Sequence, residues 1–410
     1  MRKLLSIAAL ACLIVLAACG GGGSNSSSSN STTPPPTTNV AGSNVATISI
    51  GPGPLVNGSP TTSPNIPFVT VTICSPGSST ACAQIDHVQL DTGSSGLRLV
   101  STQAITALGL AGQSIPGGGT LGECAQFADG ITWGAVRLAD VHIAGESASN
   151  IPIEIIGDAS VPTIPSSCTS NLGSKQTVSA LGANGLLGVG TLPNDCGLAC
   201  QQRPQGIYFS CTGSTCTDTT LAVASQVPNP VSKFAVDNNG TLVKMPALPV
   251  NGSATAQGSL VFGIGTQTNN ALTGVTVYTT NSAGQFTATL NGTPLTTSLL
   301  DTGSNGLFFP DALITSCASN SSANGFFCPA STTAVSATIT GANNASTVVS
   351  MSIGNALTLF ASGNYAYNNV GGNFPGTTFD FGLPFFYGRS VYTAISGAST
   401  SAGTGPYIAF

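Results

Sequence analysis

Apolar and polar positions divide the 410-residue chain into three stretches. Residues 1–18 open with Met1-Arg2-Lys3, run apolar from Leu4 and close on the small residues Ala17-Ala18, the charged, apolar and small-residue order of an export signal. That apolar run is shorter than the ~20 residues a membrane-spanning helix requires. Residues 19–45 begin at Cys19 and are then almost wholly Gly, Ser, Asn, Thr and Pro. Such a segment buries too little apolar surface to fold and is read as a disordered tether. The remaining ~365 residues, rich in Gly, Thr, Ser, Val and Pro, show no long stretch of helical period, which predicts an all-β body large enough for two cores.

Comparing the chain with itself gives one clear repeat. His87-Val88-Gln89-Leu90-Asp91-Thr92-Gly93-Ser94-Ser95-Gly96-Leu97 returns 210 residues later as Thr297-Ser298-Leu299-Leu300-Asp301-Thr302-Gly303-Ser304-Asn305-Gly306-Leu307. The separation is far too long for a solenoid period and points to two duplicated β lobes, residues 46–230 and 231–410, each carrying one copy. Each copy ends an apolar strand on an aspartate and turns through Thr-Gly-Ser. The glycine lets backbone N–H groups approach the carboxylate, and Ser94 or Ser304 is placed to hydrogen-bond its outer oxygen. A single Asp-Thr-Gly makes an ordinary turn. Two in matching apolar contexts point to a carboxylate pair, Asp91 and Asp301, supported by Thr92, Gly93, Ser94, Thr302, Gly303 and Ser304. Two carboxylates brought together cannot both ionise cheaply, so such a pair shares a proton and offers a base and an acid.

Charge narrows the classes. Of 9 basic residues, Arg2 and Lys3 fall in the leader, leaving 7 against 14 acidic residues and a net charge of −7, which disfavours nucleic acid as a partner. The two histidines, His87 and His142, form no zinc-protease helix motif and leave a serine triad little to draw on. No cofactor or metal is expected. Of 12 cysteines, Cys12 lies in the leader and Cys19 at its end, leaving ten in an exported chain. Disulfides are expected. Short separations favour Cys74 with Cys82 and Cys317 with Cys328, whereas Cys124, Cys168, Cys196, Cys200, Cys211 and Cys216 admit several pairings. A zinc site at Cys196, Cys200, Cys211 and Cys216 is an alternative with imperfect spacing.

Two resemblances extend this reading. Leu16-Ala17-Ala18-Cys19 resembles the lipobox of bacterial lipoproteins, which implies lipidation of Cys19 and a cell-envelope location. Gly20 in place of an aspartate implies the outer membrane. Most of residues 46–410 resembles the bilobal pepsin-like aspartic proteases. Val88–Val100 is similar to their first active-site strand and loop, and Asn184-Gly185-Leu186-Leu187-Gly188 to the segment crossing beneath it. Gly258–Gly263 is similar to the strand opening the second lobe, and Leu299–Phe309 to the second active-site loop. Phe381–Phe386 with Ser390–Thr393 is similar to the closing segment. That ending also resembles an uncharacterised family of bacterial lipoproteins, a domain of unknown function.

The pepsin resemblance implies a monomeric endopeptidase that binds an extended peptide between its lobes and activates water between Asp91 and Asp301. The alternatives are an inactive protein of the same fold that binds a peptide or glycan, and a structural envelope component. The sequence also departs from the family. Its expected flap hairpin, Ala125–Val136, lacks the family's tyrosine, leaving Phe127 or Trp133 for that place unless Trp133 is a core residue. Asp380 stands where the family has an apolar residue and either adds a third carboxylate or ends a strand. Arg98 and Arg389 flank the active-site segments and are expected at the surface, with neutralisation of nearby carboxylates as the alternative. The tether has no Lys or Arg to cover the cleft as a basic propeptide does, which implies action at milder pH.

Overall fold

The computed structural model describes residues 42–169 and 173–410; the leader, Cys19 and the tether up to residue 41 lie outside the described residues. Within them the chain is mostly β, as its composition predicts. Strands with one buried face keep the expected period of two: Val45–Ile50 alternates, with Ala46, Ile48 and Ile50 inward. Strands buried on both faces, such as Ser95–Val100 and Gly185–Val189, read as small and apolar runs, broken in the first only by Arg98.

Among the described residues the strands form a fifteen-stranded sheet, a seven-stranded sheet and two short hairpins. Val45–Ile50 pairs antiparallel with Ala256–Phe262 along its length and meets Phe68–Cys74 at Ser49. One sheet therefore carries strands from both halves of the chain. The seven-stranded sheet is built entirely from residues after 285.

The sequence repeat has a counterpart in strand pairing. Cys82–Asp91 lies parallel to Gly185–Val189, which lies antiparallel to Ser95–Val100. In the second copy Thr293–Leu300 lies parallel to Asp380–Phe381, which lies antiparallel to Leu307–Phe309. In each copy a strand distant in sequence inserts between the two arms of the Asp-Thr-Gly loop. Its glycine passes against the loop backbone: a Cβ at Gly188 would lie 2.7 Å from the Ser95 backbone, and one at Gly382 would lie 2.1 Å from the Gly306 carbonyl oxygen. That close approach explains the glycine in both crossing segments.

Beneath the second loop the core is aromatic. Phe379 and Phe381 stack with centroids 3.9 Å apart, and Phe309 and Phe385 pack against them. Backbone bonds from Leu299 and Asp301 N–H to the Phe379 and Phe381 carbonyls couple this cluster to the aspartate. Removing one such ring would cost about 3–5 kcal/mol, so the loop rests on a stiff support.

Five disulfides occur among the described residues. Cys74–Cys82 and Cys317–Cys328 pair as their short separations suggest. The open set resolves as Cys124–Cys168, Cys196–Cys200 and Cys211–Cys216. This corrects the zinc alternative, because all four of its cysteines are held in disulfides.

Candidate active site

Asp91 ends the strand Cys82–Asp91 and is almost fully buried. Its Oδ1 accepts from the Gly93 and Ser94 amides at 2.7 and 3.0 Å, and its Oδ2 accepts from Ser94 Oγ at 2.5 Å. Asp301 follows the strand Thr293–Leu300. Its Oδ1 accepts from the Gly303 amide at 2.7 Å and its Oδ2 from Ser304 Oγ at 2.9 Å. The turn thus delivers its own donors to each carboxylate, as the Asp-Thr-Gly-Ser order implies.

Reciprocal threonine bonds hold the loops together. Thr92 Oγ1 donates to the Leu300 carbonyl at 3.1 Å and accepts from the Thr302 amide at 3.0 Å. Thr302 Oγ1 donates to the Leu90 carbonyl at 2.8 Å and accepts from the Thr92 amide at 3.1 Å. Both threonines are buried, so each hydroxyl satisfies groups that have no access to water. Gln89 Nε2 adds a bond to the Gly303 carbonyl at 2.8 Å, and Asn65 Nδ2 one to the Asn305 carbonyl at 2.9 Å.

This grip brings the carboxyls of Asp91 and Asp301 close enough for the Asp91 charge to act on Asp301. A Cβ at Gly93 would lie 2.6 Å from Asp301 Cγ, and one at Gly303 would lie 2.9 Å from Asp91 Cγ. Each glycine therefore leaves room for the opposite aspartate. Burial, then the neighbouring charges of Asp91 and Asp380, hold the Asp301 carboxyl well above the usual carboxylate range. The donors are uneven: Asp91 receives two amides and a hydroxyl, whereas Asp301 receives one amide and a serine that it shares. The negative charge is better placed on Asp91 and the proton on Asp301.

The pair opens onto a cavity of about 990 Å³ bordered by Phe127, Phe308, Phe374 and Asp380. The expected flap is a hairpin, Thr120–Phe127 against Gly130–Ile143, turning at Ala128-Asp129. Phe127 at its tip borders the cleft. Trp133 does not: it is buried, donates from Nε1 to the Pro162 carbonyl at 2.9 Å and packs edge-on against Phe209. The two rings sit on different strands of the hairpin, and Trp133 pairs with Cys124, three residues before Phe127, so they face opposite sides of the sheet. Asp380 does bring a third carboxylate to the pair, with its Oδ2 2.5 Å from Ser304 Oγ.

The arginines correct the surface expectation. Arg98 is buried, with Nη2 2.5 Å from Glu123 and 3.2 Å from Asp195, and Nε 3.3 Å from Glu154. It also donates to the Ser95 carbonyl, next to the first active-site loop, and Tyr208 Oη lies 2.6 Å from Asp195. Burial first, then Glu123, pushes the Glu154 and Asp195 carboxyls well above their usual range. Arg389 is partly buried; it donates to the Phe385 carbonyl at 2.5 Å and lies 4.4 Å over that ring, away from the carboxylates. Gln89, Asn65 and the acids around Arg98 escaped the sequence reading. The charged residues within apolar strands, Arg98 and Glu154 above all, were the available signal, since such charges demand partners.

The fold and site define an all-β protein with a cleft built on a duplicated Asp-Thr-Gly-Ser loop and a pair of aspartates. The chain belongs to the family described as "Protein of unknown function (DUF3443)", whose model matches residues 40–410. No curated protein matches it.

Proposed function

We propose that this protein is a pepsin-like aspartic endopeptidase of two β lobes, residues 46–230 and 231–410, acting at the cell envelope. The observation that carries the reading is the reciprocal grip that seats a buried Asp91 and a partly exposed Asp301 side by side. Ionised Asp91 takes a proton from a water as its oxygen attacks a peptide carbonyl carbon. Protonated Asp301 gives its proton to the carbonyl oxygen, so the tetrahedral intermediate forms without a separated charge. The proton taken by Asp91 then passes to the leaving nitrogen as the C–N bond breaks, and Asp301 recovers a proton from the collapsing hydroxyl. An extended peptide would lie under Phe127, held by backbone hydrogen bonds. The lipobox-like Cys19 supports a lipid anchor, with the outer membrane as its site.

Incubation of the protein with a mixed peptide library between about pH 3 and 7 tests this, alongside Asp91→Asn and Asp301→Asn. Each substitution is expected to lower cleavage by at least about 100-fold. Absence of cleavage by folded wild-type protein across that range would overturn the reading in favour of a peptide- or glycan-binding lipoprotein, a rival favoured by the phenylalanine in place of a flap tyrosine.

A further inference from the structure

We propose that Asp380 is a third acid of this site, a positioning residue linked to Asp301 through Ser304 that extends the working range of the aspartate pair toward neutral pH. The link to catalysis rests on the protease reading above; the proton on Asp380 does not.

Ser304 Oγ lies 2.9 Å from Asp301 Oδ2 and 2.5 Å from Asp380 Oδ2. A serine hydroxyl donates once, so it cannot donate to both carboxylates. One of these carboxyls must be protonated and donate to the serine oxygen, or one close contact would set lone pair against lone pair.

Asp380 is the donor that fits. Asp380 is partly exposed as a residue, yet its Oδ1 is enclosed and without a hydrogen-bond partner, whereas Asp301 Oδ1 accepts the Gly303 amide. Leaving an enclosed oxygen unpartnered costs far more on an ionised carboxylate than on a neutral carboxyl. Among the described residues no cation pairs with Asp380. The flanking strands, Thr293–Leu300 and Leu307–Phe309, carry no titratable side chain, and the acids facing Asp380 are Asp301 and Asp91. The other charged residues bordering the cleft, Lys175 and Asp129, pair with each other at 2.7 Å. Burial, opposed by the Ser304 bond and reinforced by the Asp91 charge, leaves the Asp380 carboxyl raised to about 7.

The site then holds two protons on three carboxyls: one shared by Asp91 and Asp301, one on Asp380 and directed to Ser304, whose own hydrogen points to Asp301. As pH rises, Asp380 ionises. Its charge then opposes loss of the remaining proton, so the pair keeps its acid to a higher pH than two carboxylates alone would.

Carboxyl titration of the whole chain carrying 13C-labelled aspartate tests this together with cleavage profiles of wild type, Asp380→Asn and Ser304→Ala. One aspartate carboxyl should titrate near pH 7 in wild type and be missing in Asp380→Asn. The alkaline limb of cleavage should move down by about 1–2 pH units in Asp380→Asn, because the amide carries no charge to hold the last proton. In Ser304→Ala the Asp380 titration should persist, because burial and the Asp91 charge raise it. A wild-type titration with no aspartate midpoint above about pH 6 would overturn the proposal without recourse to any variant. An unmoved alkaline limb in active Asp380→Asn would overturn it too. A midpoint near 7 without cleavage would leave Asp380 protonated as proposed and sink the protease reading instead.

Discussion

Thr92→Val examines the grip that makes the site. Valine keeps the shape of threonine but can neither donate to the Leu300 carbonyl nor accept from the Thr302 amide. The Thr302 amide would be left buried without its partner, at about 1–3 kcal/mol, and loss of the bond to Leu300 adds about 1 kcal/mol. The expected loss of stability is therefore about 2–4 kcal/mol, large against the ~5–15 kcal/mol net stability typical of a domain. Thr92→Ser is the control: it keeps the hydroxyl, loses one methyl and should cost about 1 kcal/mol. Urea unfolding followed by circular dichroism reads the difference as a lower midpoint at unchanged slope. Because the network is reciprocal, Thr302→Val should match Thr92→Val, and the double variant should cost less than their sum. A Thr92→Val midpoint equal to that of Thr92→Ser would refute the claim that these bonds hold the loops together.

Two further outcomes follow from buried charge and covalent links. Glu154, Asp195 and Asp301 have carboxyls raised well above their ordinary values, so the folded chain binds protons that the unfolded chain has released above about pH 4. Their contribution is full below that pH and is lost as pH rises toward the folded values, at ~1.4 kcal/mol per pH unit for each proton held; Asp158, lowered by Arg137 against its burial, acts in the opposite sense. The thermal midpoint should fall between pH 4 and 8, and Glu154→Gln should flatten that fall; a midpoint that climbs over the same range would contradict the assignment. Among the disulfides, Cys124–Cys168 closes 44 residues and Cys196–Cys200 closes 4. Chain entropy makes the first worth about 4 kcal/mol and the second about 2, so replacing the first pair by alanines should lower the urea midpoint more, and equal shifts would count against an entropic origin.

Sequence alone determined whatever depends on neighbours along the chain. The turn that aims amides at Asp91 and Asp301 is written in Asp-Thr-Gly-Ser, because the donors lie two and three residues from the acceptor. The all-β character follows from composition, and the pairings Cys74–Cys82 and Cys317–Cys328 follow from short loops. The flap hairpin and the third carboxylate at Asp380 were legible as positions, though with their roles open.

Tertiary structure decided what depends on distance through space. Thr92 and Thr302 meet across 210 residues, and Ser304 meets Asp380 across 76. Arg98 sits buried only because Glu123, Glu154 and Asp195, from three other segments, converge to neutralise it. Trp133 is core and Phe127 is cleft although both are aromatics on one hairpin. A local pattern states that a side chain is apolar, charged or able to turn the chain. Whether its charge is compensated, its hydrogen bond shared or its ring covered is set by partners whose positions come from the packing of distant strands.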